Sequence, residues 1–311
     1  MEKYKRALVT GGAGFIGSHL SRELIARGFN VTIIDNLSMG KESNIPRGAE
    51  FIKGDILDEK LLKKIVPSID AIFHLAAKVS IRDSLNNFLE DANNNVMGTL
   101  NLLKSCCGSP VKKFVYASSM AVYADRKSSM PIDEDYTLDP ISPYGISKLA
   151  SEKYCLNVAS SIGMDCVVLR YFNTYGDGQT LTPYVGVITI FINKLLNGEQ
   201  PIIFGDGNQR RDFIYVGDIV QANVKAIGWN GHFGIFNIGT GEGKSVNDIV
   251  KILCKKINPD INPIYEEERE GELKYSIANI QNAKDELGFS PTGKFEEKID
   301  EVIKWWRGKK I

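Results

Sequence analysis

Tyr144 and Lys148 stand four residues apart in Ser142-Pro143-Tyr144-Gly145-Ile146-Ser147-Lys148, where Ser142 can cap a helix and Pro143 can fill its first position. That spacing places a phenol and an ammonium on one helix face. A phenol titrates near pH 10, and lowering this by about three units needs about 4 kcal/mol, which close positive charge in a partly desolvated site can supply. The chemistry indicated is general-base removal of a proton from a hydroxyl. Alone, Tyr-x-x-x-Lys also occurs on ordinary exposed helices. Ser118-Ser119 closes an apolar strand upstream, and Ser119 is suited to share a proton with Tyr144.

A second constellation lies at the start of the chain. Thr10-Gly11-Gly12-Ala13-Gly14-Phe15-Ile16-Gly17 follows a β-branched run and opens a helical one, giving Gly-x-x-Gly-x-x-Gly at 11, 14 and 17. Glycines let the backbone turn sharply and approach a pyrophosphate, which the N-terminus of a helix attracts. Asp35 closes the next strand and is placed to accept from adenosine ribose hydroxyls while repelling a 2′-phosphate, so NAD is favoured over NADP. Asp55-Ile56, after the third strand, is read either as an adenine border or as a turn.

These residues need a scaffold that brings strand ends together. Ala7–Thr10, Val31–Ile34, Glu50–Ile52, Ala71–Leu75, Phe114–Ala117 and Cys166–Leu169 read as strands between helices, without the polar alternation of a half-exposed sheet. The pattern is α/β, a doubly wound parallel sheet of Rossmann type, over residues 1–172. Beyond it the texture turns Gly-, Pro- and Asn-rich, with helices expected near Val187–Leu196, Ile219–Ile227, Val246–Lys256 and Phe295–Trp306. Residues 173–311 are expected to form a smaller C-terminal α/β substrate lobe, with some chain crossing back.

The 311 residues carry 38 Lys+Arg against 38 Asp+Glu, which argues against nucleic acid or an anionic membrane surface as partner. Five cysteines without a Cys-x-x-Cys pair argue against a disulfide framework or a bound metal. Neither a signal peptide nor a membrane span is read, so a cytoplasmic location is expected.

The chain resembles the extended short-chain dehydrogenase/reductase superfamily and, within it, the nucleotide-sugar epimerases typified by UDP-glucose 4-epimerase. The resemblance runs over nearly the full length, through Thr10–Leu20, His74-Leu75-Ala76-Ala77, Asn95-Val96-Met97-Gly98-Thr99, Tyr116–Tyr123, Pro143–Lys148, Arg170-Tyr171-Phe172-Asn173, Phe204-Gly205-Asp206-Gly207, Arg211-Asp212-Phe213-Ile214 and Phe236-Asn237-Ile238-Gly239. It implies tightly held NAD, contacted by Gly11, Gly14, Phe15, Ile16, Gly17, Asp35, Asn36, Ser38, Asp55, Ile56, Leu75, Ala76, Ala77, Asn95, Tyr144, Lys148 and Tyr171. It implies catalysis by Tyr144, Lys148 and Ser119, and a UDP-sugar held by Ser80, Ser119, Asn173, Val187, Phe204, Arg211 and Arg269.

The same likeness sets expectations about substrate. Dehydratases and UDP-glucuronate decarboxylases of the superfamily carry a carboxylate just after the serine, where this chain has Met120-Ala121-Val122. A gating position seven residues beyond Arg269 falls on Ser276, with bulky Tyr275 beside it; a small gate admits a 2-acetamido sugar. The expected activity is therefore UDP-N-acetylglucosamine 4-epimerisation, extending to UDP-glucose. A UDP-uronate epimerase, a 4,6-dehydratase and an NAD-binding sensor or scaffold are the alternatives. Relatives pair the equivalents of Phe88–Cys107 and Tyr144–Ser161 across a homodimer, so a homodimer is expected.

Overall fold

The computed structural model describes residues 4–182, 185–268 and 274–309. A Rossmann-type α/β scaffold dominates. In chain order the first part comprises β1 (Arg6–Thr10), α1 (Phe15–Ala26), β2 (Asn30–Asp35), β3 (Glu50–Lys53), α2 (Glu59–Ile65), β4 (Ala71–His74), α3 (Ile81–Asn86), α4 (Phe88–Ala92), α5 (Gly98–Cys106), β5 (Lys113–Ser119), α6 (Pro143–Ile162) and β6 (Asp165–Tyr171). It continues through β7 (Asn173–Tyr175), α7 (Val187–Leu196), β8 (Ile202–Phe204), β9 (Arg210–Tyr215), α8 (Val216–Gly228), β10 (Phe233–Ile238), β11 (Gly243–Ser245), α9 (Val246–Ile257), β12 (Ile264–Glu266), β13 (Tyr275–Ser276), α10 (Gln281–Leu287) and α11 (Phe295–Gly308).

Seven parallel strands form one sheet in the order β10-β6-β5-β4-β1-β2-β3. The order reverses between β1 and β4, the crevice where such sheets bind ligands outside their carboxyl ends. Apolar side chains fill both faces: Val9, Leu20, Leu24, Phe73 and Val115 with α1 and α8 on one, Leu8, Leu62, Leu102, Phe114 and Val168 with α2, α5 and α6 on the other. Burial on both faces explains why the strands read as continuous apolar runs.

The seventh strand, β10, was not expected from sequence; it and α8 return from the C-terminal half to complete this sheet. The remaining elements build a separate core of Ile188, Phe191, Ile192, Ile249, Leu253, Ile299 and Trp306 under α7, α9 and α11. Short strands β11, β9, β13 and β7 form the surface between. The four expected C-terminal helices are present with ends shifted by at most a few residues, α8 starting at Val216 rather than Ile219. Between α4 and α5 the helical run passes through a π-helical turn at Asn93–Met97, a distortion that frequently marks functional positions. Among the described residues no helix is long and apolar enough to cross a membrane.

Candidate active site

The glycine loop lies at the switch point. Gly11 has φ +70°, and a Cβ there would sit 2.8 Å from the Ala76 amide nitrogen; one on Gly17 would lie 2.2 Å from the Gly11 carbonyl oxygen. No side chain caps the start of α1, so its first-turn N–H groups are left to serve an anion. Asp35, at the end of β2, accepts from the Ala13 and Leu37 amides at 3.0 and 2.8 Å, and Leu37 adopts φ +62° to reach it. A narrow all-backbone cradle with a carboxylate at its edge fits a dinucleotide pyrophosphate and ribose. Gly17→Ala should force the loop apart at a cost of about 1–3 kcal/mol, about tenfold to a hundredfold in NAD affinity. The NAD recovered per mole of purified protein measures this, and undiminished NAD would contradict it.

The strand that follows is tied to the loop through a buried chain. Thr10 Oγ1 meets His74 Nδ1 at 2.7 Å, and His74 Nε2 meets Thr99 Oγ1 at 2.8 Å. Thr99 gives its own proton to the Asn95 carbonyl (2.6 Å), so His74 must donate to Thr99 and accept from Thr10. Complete burial pulls this imidazole down to about 3, keeping it neutral. Thr10 Oγ1 also receives the Leu75 and Ala76 amides, which fixes the Leu75-Ala76-Ala77 segment beside the loop.

Tyr144, Lys148 and Glu152 follow at successive turns of α6, all buried. Ser142 caps the helix by accepting from the Gly145 amide at 3.1 Å, with Pro143 in its first turn. Gly145 is required there: a Cβ would lie 2.2 Å from the Ala121 carbonyl oxygen, so the helix start presses onto the turn that Ser119 opens. The Ser119 hydroxyl accepts the Ala121 amide at 3.2 Å and lies near enough to the Tyr144 phenol to favour its ionised form. Ser119, Tyr144 and Lys148 thus come together as one cluster at the carboxyl end of β5.

Its electrostatics differ from the sequence expectation. Burial pushes the Tyr144 phenol up to about 12, with the Ser119 bond pulling the other way, and burial brings Lys148 down to about 8. Lys148 Nζ donates to the Ala117 carbonyl at 2.7 Å and sits 4.8 Å from the centre of the Tyr116 ring. Desolvation, aided by the charge of Asp91, outweighs Ser119 here, so the protein alone does not lower the phenol. A ligand's positive charge has to complete the effect.

Other expected contacts are engaged differently. Asn95 is buried, and its amide receives the Lys78 N–H (2.8 Å) and donates to the Lys78 carbonyl (3.0 Å), Asp91 (3.0 Å) and Ser147 (3.1 Å). It braces the loop after β4 against α6. The Tyr171 hydroxyl is bonded to Asn223. Asp55 holds Asn36 at 2.8 Å and the Leu57 amide at 2.9 Å, the turn role left open above, and Ile56 packs in the core. Ser38 gives its amide to Asn36, and Ser80 caps α3 by accepting from Asp83.

On the substrate side, Asn173, Val187 and Arg211 line one cavity of about 110 Å³ together with Gln179 and Phe213. Phe204 ends β8, at the parallel pair it forms with β12, outside that lining. Strand β13 pairs with β9 so that Ser276 faces Arg211 and Tyr275 faces Arg210. Laterally paired residues share a sheet face, so Ser276 lies on Arg211's side and Tyr275 on the other. Arg210 is turned away to the Gly243 carbonyl. Ser276 is fully buried and its hydroxyl has no hydrogen-bond partner. Arg269 lies outside the described residues.

Two buried groups were missed by sequence reasoning. Arg170 forms a bidentate pair with Glu152 (3.0 and 2.8 Å), each 1% exposed, while Glu152 also accepts from Ser118. Arg170 reaches on to Tyr123 at 2.9 Å, and Tyr123 to Asn237 at 2.7 Å. Asp212 accepts from the Thr240 amide and hydroxyl, the Gly241 amide and the Ala278 amide at 2.7–3.2 Å, joining the strand of Arg211 to that of Ser276. Glu152 was findable, being one further turn along the face of Tyr144 and Lys148.

Comparison with known proteins agrees with this geometry. A UDP-glucose 4-epimerase of Thermotoga maritima, solved with UDP-glucose, superposes with TM-score 0.94 at 39% identity, covering 97% of this chain and 99% of that one. A UDP-N-acetylglucosamine 4-epimerase of Methanobrevibacter ruminantium, solved with UDP-N-acetylmuramic acid, gives TM-score 0.94 at 40% identity over 99% of both chains. A UDP-N-acetyl-α-D-glucosaminuronate decarboxylase of Bacillus cytotoxicus is 33% identical over 97% of this chain and 98% of its own. The model of the NAD dependent epimerase/dehydratase family matches residues 7–239. With that match spanning the glycine cradle, the Ser119–Tyr144–Lys148 cluster and the sheet that carries them, the chain belongs to this family of NAD-dependent enzymes.

Proposed function

We propose that the protein is a UDP-hexose 4-epimerase, interconverting UDP-N-acetylglucosamine with UDP-N-acetylgalactosamine and UDP-glucose with UDP-galactose. The observation that carries this is the Tyr144–Ser119 pair next to a turn, Met120-Ala121-Val122, that holds no carboxylate. A dehydratase must protonate a departing hydroxyl, and an acid at that turn would supply the proton; here Ala121 is packed under Gly145 instead. Tyr144 takes the proton of the sugar 4-hydroxyl, with Ser119 sharing the hydrogen bond. NAD, when bound, accepts a hydride from C4 and gives it back. The 4-keto sugar turns over between the two transfers while its diphosphate stays held, so that C4 presents its opposite face for the return of the hydride and Tyr144 gives the proton back to O4. Asn173 and Arg211 are placed to hold that diphosphate, with Arg269 as a further candidate, and residues 173–311 supply most of the sugar-nucleotide lobe.

The C2 substituent is assigned to the Ser276 position. What supports this is its small side chain and its register beside Arg211, with Tyr275 paired to Arg210 on the other side of the strand. Ser276→Tyr should lower kcat/KM for UDP-N-acetylglucosamine at least about tenfold relative to UDP-glucose, since a displaced acetamido group forfeits more than about 1.4 kcal/mol. Assaying both sugars checks it, and equal losses would place the gate elsewhere. A homodimer is also proposed. Exposed Phe88 and Leu89 on α4, with Ile146 and Tyr154 on α6, form an apolar outer surface on the two helices whose inner sides build the site. The cytoplasm is the proposed location.

A further inference from the structure

Asp91 is a buried acid beside the catalytic pair that the proposed chemistry does not use. It lies on α4 and is 3% exposed. Its Oδ2 accepts from Asn95 Nδ2 at 3.0 Å, and the same nitrogen reaches Ser147 Oγ at 3.1 Å, one residue before Lys148. Its Oδ1 is shielded from solvent and has no hydrogen-bond partner. A carboxylate so poorly supplied with donors is costly to bury unless a cation stands close. Lys148 has the complementary difficulty: it too is 3% exposed, with the Ala117 carbonyl and the Tyr116 ring as its contacts.

The other charged or titratable groups around this pair are accounted for. On α6, Glu152 is neutralised by Arg170, Tyr144 is a neutral phenol and Cys155 a buried thiol. His74 of β4 is held neutral and Tyr116 of β5 stays protonated. Lys78 is paired with Glu90 at 2.8 Å. Burial raises the Asp91 carboxyl above its ordinary range, Ser147 and the charge on Lys148 pull it back down, and Asp83 on α3 opposes its ionisation. Asp91 is therefore the nearby acid left without a cation of its own to balance Lys148.

We propose that Asp91 is the buried counter-charge of Lys148, a positioning residue that keeps the lysine an ammonium and sets the working pH of the Tyr144–Lys148 pair without touching the substrate. An anion at this place acts on both partners. It favours the ammonium of Lys148, opposing the burial that brings it down to about 8, and it disfavours the phenolate of Tyr144. Activity that needs Tyr144 deprotonated and Lys148 protonated gives a bell-shaped profile, rising with the first and falling with the second. Removing the anion lowers both values, so both limbs move to lower pH together.

The test is Asp91→Asn, which keeps the shape and removes the charge, compared with Asp91→Glu, which restores it. In the NAD-loaded protein, both limbs of the kcat profile should move acidward by about one pH unit with the maximum largely kept, and Asp91→Glu should move them back. The profile rests on the epimerase reading for its assay. An NMR titration of Lys148 in ¹³C-lysine-labelled holoprotein, identified by its loss in Lys148→Met, does not. Its midpoint should fall by about one unit in Asp91→Asn. An unmoved titration overturns the proposal, as does a profile that loses height without moving. A wild type inert toward every UDP-hexose, with the midpoint shift still present, would instead overturn the epimerase reading.

Discussion

Tyr144→Phe should reduce kcat for C4 epimerisation by about 10²–10⁴-fold, the range that a positioned general base contributes, while leaving the fold and bound NAD in place. Tyr144 is buried, its ring is part of the packing around Met120, Val122 and Phe172, and the change removes a single oxygen. KM for the nucleotide sugar should change little, because the diphosphate is assigned to Asn173 and Arg211 on other elements. Burial holds the phenol near 12, far above neutral pH, so the protein by itself keeps Tyr144 protonated. The Ser119 bond and the Lys148 ammonium favour the phenolate, and the positive nicotinamide of oxidised NAD adds to them when bound. Rate should therefore rise with pH until Lys148 begins to lose its proton, the descending limb starting toward pH 8. A Phe variant with wild-type kcat would remove Tyr144 from the chemistry altogether.

Arg170→Met should destabilise the protein by about 3–5 kcal/mol, because it leaves the Glu152 carboxylate buried without its partner. At roughly 2 °C per kcal/mol for a chain of this size, Tm should fall by about 6–10 °C. Replacing both residues, as Arg170→Met with Glu152→Leu, should recover most of that loss, since a buried ion pair is often exchangeable for apolar packing. What the double variant should not recover is activity. The pair links α6 to β6 and, through Ser118, to the strand end that presents Ser119, while Arg170 continues to Tyr123 and β10. Its contribution is to set where Tyr144 stands relative to Ser119. Thermal melts with kcat for wild type, both singles and the double decide this; a double variant no more stable than Arg170→Met would contradict the argument.

Local spacing accounts for what could be read in the sequence. The glycine loop, Tyr144 with Lys148, and the Ser142-Pro143 helix start each depend on neighbours within one or two turns. The strands β1 to β6 carry apolar runs at their centres because both sheet faces are covered. What could not be read depends on register between distant segments. β10 runs Phe-Gly-Ile-Phe-Asn-Ile, and the glycine and the buried Asn237 obscure its apolar pattern. Strands β7, β11 and β13 have two or three residues each, too few for any period to show. The bracing role of Asn95, whose amide meets Lys78, Asp91 and Ser147, joins three segments distant in sequence and leaves no local pattern. Which of Tyr275 and Ser276 pairs beside Arg211 depends on a single residue of register with β9, which no pattern within the segment reveals.

A reversible oxidation at C4 with no net redox change leaves its signature in the products. Purified NAD-loaded protein should be incubated with UDP-N-acetylglucosamine and, separately, with UDP-glucose, without added oxidant, and the sugars followed by ¹H NMR. The account predicts conversion of each to a mixture with its C4 epimer, UDP-N-acetylgalactosamine or UDP-galactose, with no accumulated NADH. A 4-keto-6-deoxy product, or no change in either sugar while a UDP-uronate is epimerised or decarboxylated, would contradict it.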